Sequence, residues 1–140
     1  MTPEEIAQRT AALMERADRA SRSLGVALQE IRPGYARLTL QVAEHMLNAQ
    51  EVCHGGFVFA LADSSFGYAC NTHNQRALAA SCTIEYLAPA HEGDRLTAEA
   101  AEVARAGRGS VYDVRVTNQH RRTIALFRGK AVSVKGAWLE

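Results

Sequence analysis

Five residues within one short stretch can do chemistry together: Asn48, His54, Gly55, Gly56 and Asp63. A His-Gly-Gly corner opens the run Phe57-Val58-Phe59-Ala60-Leu61-Ala62, which is apolar until Asp63, with Ser64 and Ser65 behind it. A carboxylate in such a run is costly unless it is paired or used. The glycines that begin the run leave helix-start N–H groups without intrahelical partners, where a developing oxyanion can be held. A carboxylate can activate water or attack a carbonyl directly, and Asn48 can orient a water or an acyl oxygen. This combination suits acyl transfer, in particular hydrolysis of an activated ester or thioester. A thioester carbonyl is reactive enough to dispense with a Ser-His pair.

The spacing restricts how these groups meet. His54 and Asp63 lie two and a half helical turns apart, about 13 Å along the axis at ~100° and ~1.5 Å per residue. They point to opposite sides of one helix. A site containing both takes His54 and the Gly55 amide from one helix and Asp63 from another. The chain has no second suitable helix, so such a site implies a homodimer with two equivalent sites.

Each residue also has a structural reading. Asp63 can cap a neighbouring loop or bond Ser64 or Ser65, and His54 can be a satisfied histidine at a helix start. Cys53 beside His54 suggests a Cys-His nucleophile, but adjacent residues rarely aim at each other. His45, His73, His91 and His120 show no metal-ligand spacing, so no metal and no cofactor is expected. Arg105 and Arg108, around Gly107, are candidates to meet phosphates, as are Arg128 and Lys130; solvated turn charges are the equal alternative.

The elements that must position these groups follow from the pattern. Thr2-Pro3-Glu4-Glu5 starts an N-terminal helix within residues 1–22, carrying one thin apolar stripe (Ile6, Leu13, Met14, Ala17). Residues 23–31 read as a short strand. Arg32-Pro33-Gly34 is a turn, and residues 35–42 alternate apolar and polar as a second strand. Residues 43–53 form a loop longer than the usual roughly 4–6, which suggests function. A central helix spans 54–72, apolar almost all round, so other structure must wrap it. Strand patterns follow at 79–88, 95–104, 111–117 and 124–134. One buried helix and about six mostly antiparallel strands give an α+β domain: a curved antiparallel sheet wrapped around a single central helix, plus the N-terminal helix.

The totals agree with one domain over residues 1–140. A net charge of +1 gives no reason to expect nucleic acid or an anionic membrane as partner. No run approaches the ~18 apolar residues that span a bilayer. Three cysteines without a C-x-x-C read as reduced thiols of a cytoplasmic protein.

The spacing Asn48-x5-His54-Gly55-Gly56-x6-Asp63 resembles that of the hotdog-fold acyl-CoA thioesterases, and within them the phenylacetate-degradation (PaaI) type. The likeness extends over most of the chain beyond the N-terminal helix. It includes Met46-Leu47-Asn48, Cys53 to Gly56, Leu61-Ala62-Asp63, Tyr68 to Asn71, Cys82-Thr83-Ile84, Val111-Tyr112-Asp113 and Ala125 to Lys130. It implies a hotdog fold and hydrolysis of acyl-CoA, phenylacetyl-CoA and hydroxyphenylacetyl-CoA foremost, to free acid and coenzyme A. Asp63 would be the catalytic carboxylate, as base or nucleophile, and Gly55 the oxyanion donor. Asn48 and His54 would position water and carbonyl, and Ser81 would assist the water or be a plain strand hydroxyl. The family also implies dimers joined edge to edge, commonly paired into tetramers. A broad-specificity thioesterase, an acyl-CoA hydratase and a non-catalytic acyl-CoA binding module are the alternatives. Asp63 argues against the last.

Overall fold

The computed structural model describes residues 1–140. Two helices come first, α1 (Pro3–Ala17) and α2 (Arg19–Leu24). Strands β1 (Ala27–Arg32) and β2 (Tyr35–Gln41) follow, then a 3₁₀ turn (Glu44–Met46) and the central helix α3 (Gly55–Cys70). Strands β3 (Ala77–Tyr86), β4 (Arg95–Ala106), β5 (Gly109–Thr117) and β6 (Thr123–Ser133) complete the chain. All six strands form one antiparallel sheet in the order β1-β2-β4-β5-β6-β3. This is the hotdog arrangement: a sheet wrapped around α3.

The N-terminal region differs from the single helix expected. Asp18 ends α1 and caps α2, accepting the Ser21 N–H at 3.0 Å. Gly25, at φ +78°, then closes α2 with its N–H on the Arg22 carbonyl. Residues 23 and 24 are therefore helical, and the first strand starts at Ala27. A left-handed glycine after a helix is the usual stop, and it leaves the next residue free to turn into a strand.

α3 buries most of its length against the concave face of the sheet. Val58, Leu61 and Phe66 pack with Leu38, Leu40, Leu96, Tyr112, Val114 and Phe127 in one contiguous core. Register shifts at Leu28/Glu30, Ala79/Ser81 and Glu102/Ala104 mark bulges, which bend strands and let the sheet curve. The Phe66 ring of α3 packs directly onto the backbone of β6 at Gly129, where an added Cβ would lie 2.7 Å from the ring. Gly129→Ala is therefore expected to destabilise the fold by about 1–3 kcal/mol through overpacking. A lowered urea midpoint with an unchanged slope would show it.

The two sheet edges differ. β1 is flanked by α1, whose Ala7, Thr10 and Ala11 are buried. β3 pairs with β6 on one side only, and its outer edge carries no neighbour. Leu78 and Tyr86 on it, and Leu87 just beyond, are 62%, 52% and 57% exposed. At the end of α3, Asn71 links helix, edge strand and C-terminal tail. Its side chain donates to the Gly67 and Ala77 carbonyls and accepts from Ala77 N–H and Trp138 Nε1–H. No helix is long and apolar enough to cross a membrane.

Candidate active site

His54 is the N-cap of α3. Its Nδ1 accepts the Gly56 N–H at 2.9 Å. An acceptor Nδ1 places the ring proton on Nε2, which is left able to donate. The sequence suggested two free amides at this corner, and the structure leaves one. His54 consumes that of Gly56, whereas the Gly55 N–H has no partner in the chain. Both glycines sit at close approaches: a Cβ on Gly56 would meet His54 Nδ1 at 3.1 Å, and one on Gly55 would meet the Tyr86 ring at 3.0 Å, so either side chain would have to shift. Tyr86 also donates its O–H to the Gly55 carbonyl at 3.0 Å, fastening the helix start to the end of β3.

The loop before the helix is held by Asn48. Its Oδ1 accepts the Gln50 N–H at 2.9 Å and the Val52 N–H at 3.4 Å, and its main chain bonds Val52 and Glu51. The loop is then stitched to the corner by His54 N–H on the Met46 carbonyl and Cys53 N–H on that of Ala90. Asn48 is thus a loop organiser through its oxygen, with its Nδ2 hydrogens left to donate. Burial raises the Cys53 thiol above its ordinary value, and its Sγ–H is directed at the His54 carbonyl. A protonated thiol so placed is not a nucleophile. Cys70 is likewise pushed up to about 12, chiefly by burial.

Asp63 sits two turns further along α3, about 12 Å from Gly55 on the ~1.5 Å rise per residue. It is half-buried and makes no hydrogen bond or ion pair within the chain. Burial alone raises its pKa above the ordinary carboxylate value. It lines a cavity of about 340 Å³ beside the first residues of β3, with Phe66, Leu78 and Trp138. Gly55 lines a different cavity, of about 410 Å³, beside the last residues of β3, with Val52, Val58 and Tyr86. No residue belongs to both. Within one chain, then, His54, Gly55 and Asn48 are gathered at one place and Asp63 is at another.

The remaining candidates lie apart from these. Ser81 is exposed, pairs across the sheet with Lys130 just after the bulge, and its hydroxyl bonds no group of the chain. Arg105 and Arg108 flank the β4–β5 turn and line a polar hollow of about 540 Å³ with His73 and Lys135. Arg128 is committed to Asp113, at 2.6 and 2.9 Å. Lys135 and Tyr86 were not legible as site residues, because only the folded sheet brings them to the hollow and to the helix start.

The fold and the placement of these residues can be set beside known proteins. The thioesterase superfamily model matches residues 50–125. The acyl-coenzyme A thioesterase PaaI of Escherichia coli is 41% identical over 119 residues, 85% of each chain. The solved structure of the E. coli PaaI protein, from the phenylacetic acid degradation operon, superposes with a TM-score of 0.95 at 38% identity. It covers 97% of this chain and 99% of that one. A mutant structure of the phenylacetic acid degradation protein PaaI from Thermus thermophilus matches with a TM-score of 0.81 at 35% identity, over 84% of this chain and all of that one. The smu.793 protein of Streptococcus mutans, solved bound to acetyl-CoA, matches with a TM-score of 0.77 at 25% identity, over 80% and 90%. A shared fold, a shared length and this level of identity lead to one assignment. The chain belongs to the thioesterase superfamily, as a hotdog-fold member of the PaaI type.

Proposed function

We propose that the protein hydrolyses acyl-CoA thioesters, with phenylacetyl-CoA and hydroxyphenylacetyl-CoA as its foremost substrates, at two equivalent sites shared by two copies of the chain. The observation that carries this reading is the position of the two cavities at opposite ends of the unpaired strand β3. An edge strand with exposed apolar side chains favours pairing with another strand. Antiparallel pairing of β3 with its own copy, centred near Cys82, sets Leu78 of one chain opposite Tyr86 of the other. The Asp63 cavity of each copy then faces the Gly55 cavity of its neighbour. The half-buried carboxylate in its mostly apolar cavity and the bare amide become parts of one site.

In that site the Gly55 N–H, at the positive end of α3, holds the thioester carbonyl oxygen as it gains charge. Asp63 in its ionised form either takes a proton from the attacking water or attacks the carbonyl itself, giving an acyl-aspartate anhydride that water then hydrolyses to free acid and Asp63. The new C–O bond forms, the C–S bond breaks, and coenzyme A leaves as thiol with the proton that water supplied. Asn48 Nδ2 and His54 Nε2 are donors available to orient water and carbonyl. Arg105, Arg108 and Lys135 supply cations for the phosphates of coenzyme A. Pairing of such dimers into tetramers belongs to the same reading. A broad-specificity thioesterase of another pathway is the second reading, since the likeness to PaaI proteins fixes reaction type more firmly than acyl group.

Thiol release from a panel of aryl and straight-chain acyl-CoA esters tests this. Turnover concentrated on the phenylacetyl esters supports the proposal, and equal turnover across the panel favours the broad enzyme. Binding of the esters with no thiol released would remove the hydrolytic role altogether.

A further inference from the structure

A series of hydrogen bonds runs through the helix-start corner and begins outside it. Its first member is the Tyr86 phenol at the end of β3, which donates to the Gly55 carbonyl at 3.0 Å. That carbonyl shares a peptide unit with the Gly56 N–H, which donates to His54 Nδ1 at 2.9 Å. The series is therefore Tyr86 O–H, the Gly55–Gly56 peptide, the His54 imidazole, and the Nε2–H on its far side. Every step runs in one direction. A carbonyl only accepts, so the phenol is the donor, and an acceptor Nδ1 leaves the ring proton on Nε2. A backbone carbonyl has two lone pairs, so the phenol can share it with the helix.

The fold holds both ends of the series. The Leu87 and Ala88 N–H groups both donate to the Ile124 carbonyl, at 2.8 and 3.2 Å, which pins the end of β3 and Tyr86 with it. Without a Cβ on Gly55, the Tyr86 ring lies directly against the helix start. At the other end Phe57 meets the His54 ring edge-on, with centroids 6.4 Å apart. Hydrogen bonds in series polarise one another. A phenol drawing on the Gly55 carbonyl strengthens the Gly56 N–H as a donor, and that donor in turn secures the tautomer of His54 that keeps its proton on Nε2. Resting on the thioesterase reading above, we propose that Tyr86 is a positioning residue for the reaction. Acting through the Gly55–Gly56 peptide, it fixes the ring and tautomer of His54, so that Nε2–H is presented as a donor to the acyl carbonyl or the attacking water. Tyr86 itself touches neither.

The test is Tyr86→Phe, which keeps the ring against Gly55 and removes only the O–H. With the acyl-CoA ester that the native protein cleaves best, kcat should fall by about three- to tenfold, the size of one neutral hydrogen bond, and KM should stay native. A double-mutant cycle with His54→Ala, which ends the series at Gly56, shows the route. Added to His54→Ala, the tyrosine change should cost less than about twofold more. NMR gives a reading independent of turnover: in Tyr86→Phe the Gly56 amide proton and the ring nitrogens of His54 should both shift. Sedimentation of Tyr86→Phe should match the native protein, and dissociation into single chains would lay the loss to the interface and overturn the inference. A native kcat in Tyr86→Phe, an equal loss with and without His54, or unmoved Gly56 and His54 signals also overturns it and spares the thioesterase reading. Cleavage of no ester by the native protein overturns both.

Discussion

Asp63→Asn is expected to lower turnover of an aryl acyl-CoA by about 10²–10⁴-fold, the usual contribution of a positioned acid–base group. The substitution keeps the shape of the side chain and removes its charge, so ester binding, read by quenching or calorimetry, should persist. The environment of Asp63 adds two further expectations. Burial raises its pKa, and the ionised form is the one that works, so activity should fall on acidification at a pH above the ordinary carboxylate range. The sign for stability is opposite. A group that binds its proton more tightly when folded makes ionisation unfavourable to the fold. Stability is therefore lost as pH rises from the unfolded to the folded pKa, and the loss persists at neutral pH. Asp63→Asn should accordingly be at least as heat-stable as the native protein at pH 7, and its advantage should vanish in acid. A variant that is both fully active and no more stable would remove Asp63 from the chemistry.

Removing the Gly55 N–H should be nearly as damaging, at about 10²–10³-fold in kcat, the typical loss of one oxyanion donor. Proline does this with little cost to the helix. Gly55 is the first residue of α3, where proline fits, and His54 at φ −59° and ψ 133° already has the extended conformation that a following proline demands. Because a Cβ at this position would reach the Tyr86 ring, Gly55→Pro is best made together with Tyr86→Ala and compared with Tyr86→Ala alone. The shared-site proposal then gives a sharper result. Mixed with Asp63→Asn chains in equal amounts and allowed to exchange, the Gly55→Pro chains should recover about a quarter of the reference activity. Half of the dimers are mixed, and each holds one site with an intact Gly55 and an intact Asp63. Two inactive proteins that stay inactive when mixed would place the whole site in a single chain.

Much of this was legible in the sequence, and the reasons differ by element. The central helix was visible because a run with no polar face admits no other placement than the middle. β2 was visible because Ala36, Leu38 and Leu40 alternate with Arg37, Thr39 and Gln41, which is the signature of a strand with one wet face. The break at Asp18 was missed although both its signals are local. An aspartate three residues before Ser21 is a helix cap, and Gly25 is a helix stop, but the stripe through Met14 and Ala17 hid them. At the corner, the pattern gave two glycines with bare amides, and only the ring orientation of His54 decides which amide stays bare. The partners of the site are further from view. Tyr86 at the end of β3 reaches Gly55 at the start of α3, and Tyr68 finds Asp18 fifty positions earlier in the chain. No local spacing encodes such meetings, because they depend on how the sheet closes over the helix.

The strand order has a consequence for how the chain comes into being. β3 follows α3 directly, yet its one partner within the chain is β6, the last strand to be made. When the ribosome has released Tyr86, it must still produce everything up to Thr123 before that pairing can begin. This takes a few seconds at roughly 5–20 residues per second. At its start α3 has only β1, β2 and the unpaired β3 to lie against; β4 and β5 are added during the interval, and β6 comes only at its end. An all-round apolar helix and a strand with two bare edges therefore wait together in the nascent chain. Folding in the cell is gated by the last strand, and the most aggregation-prone moment of this protein's life precedes its completion.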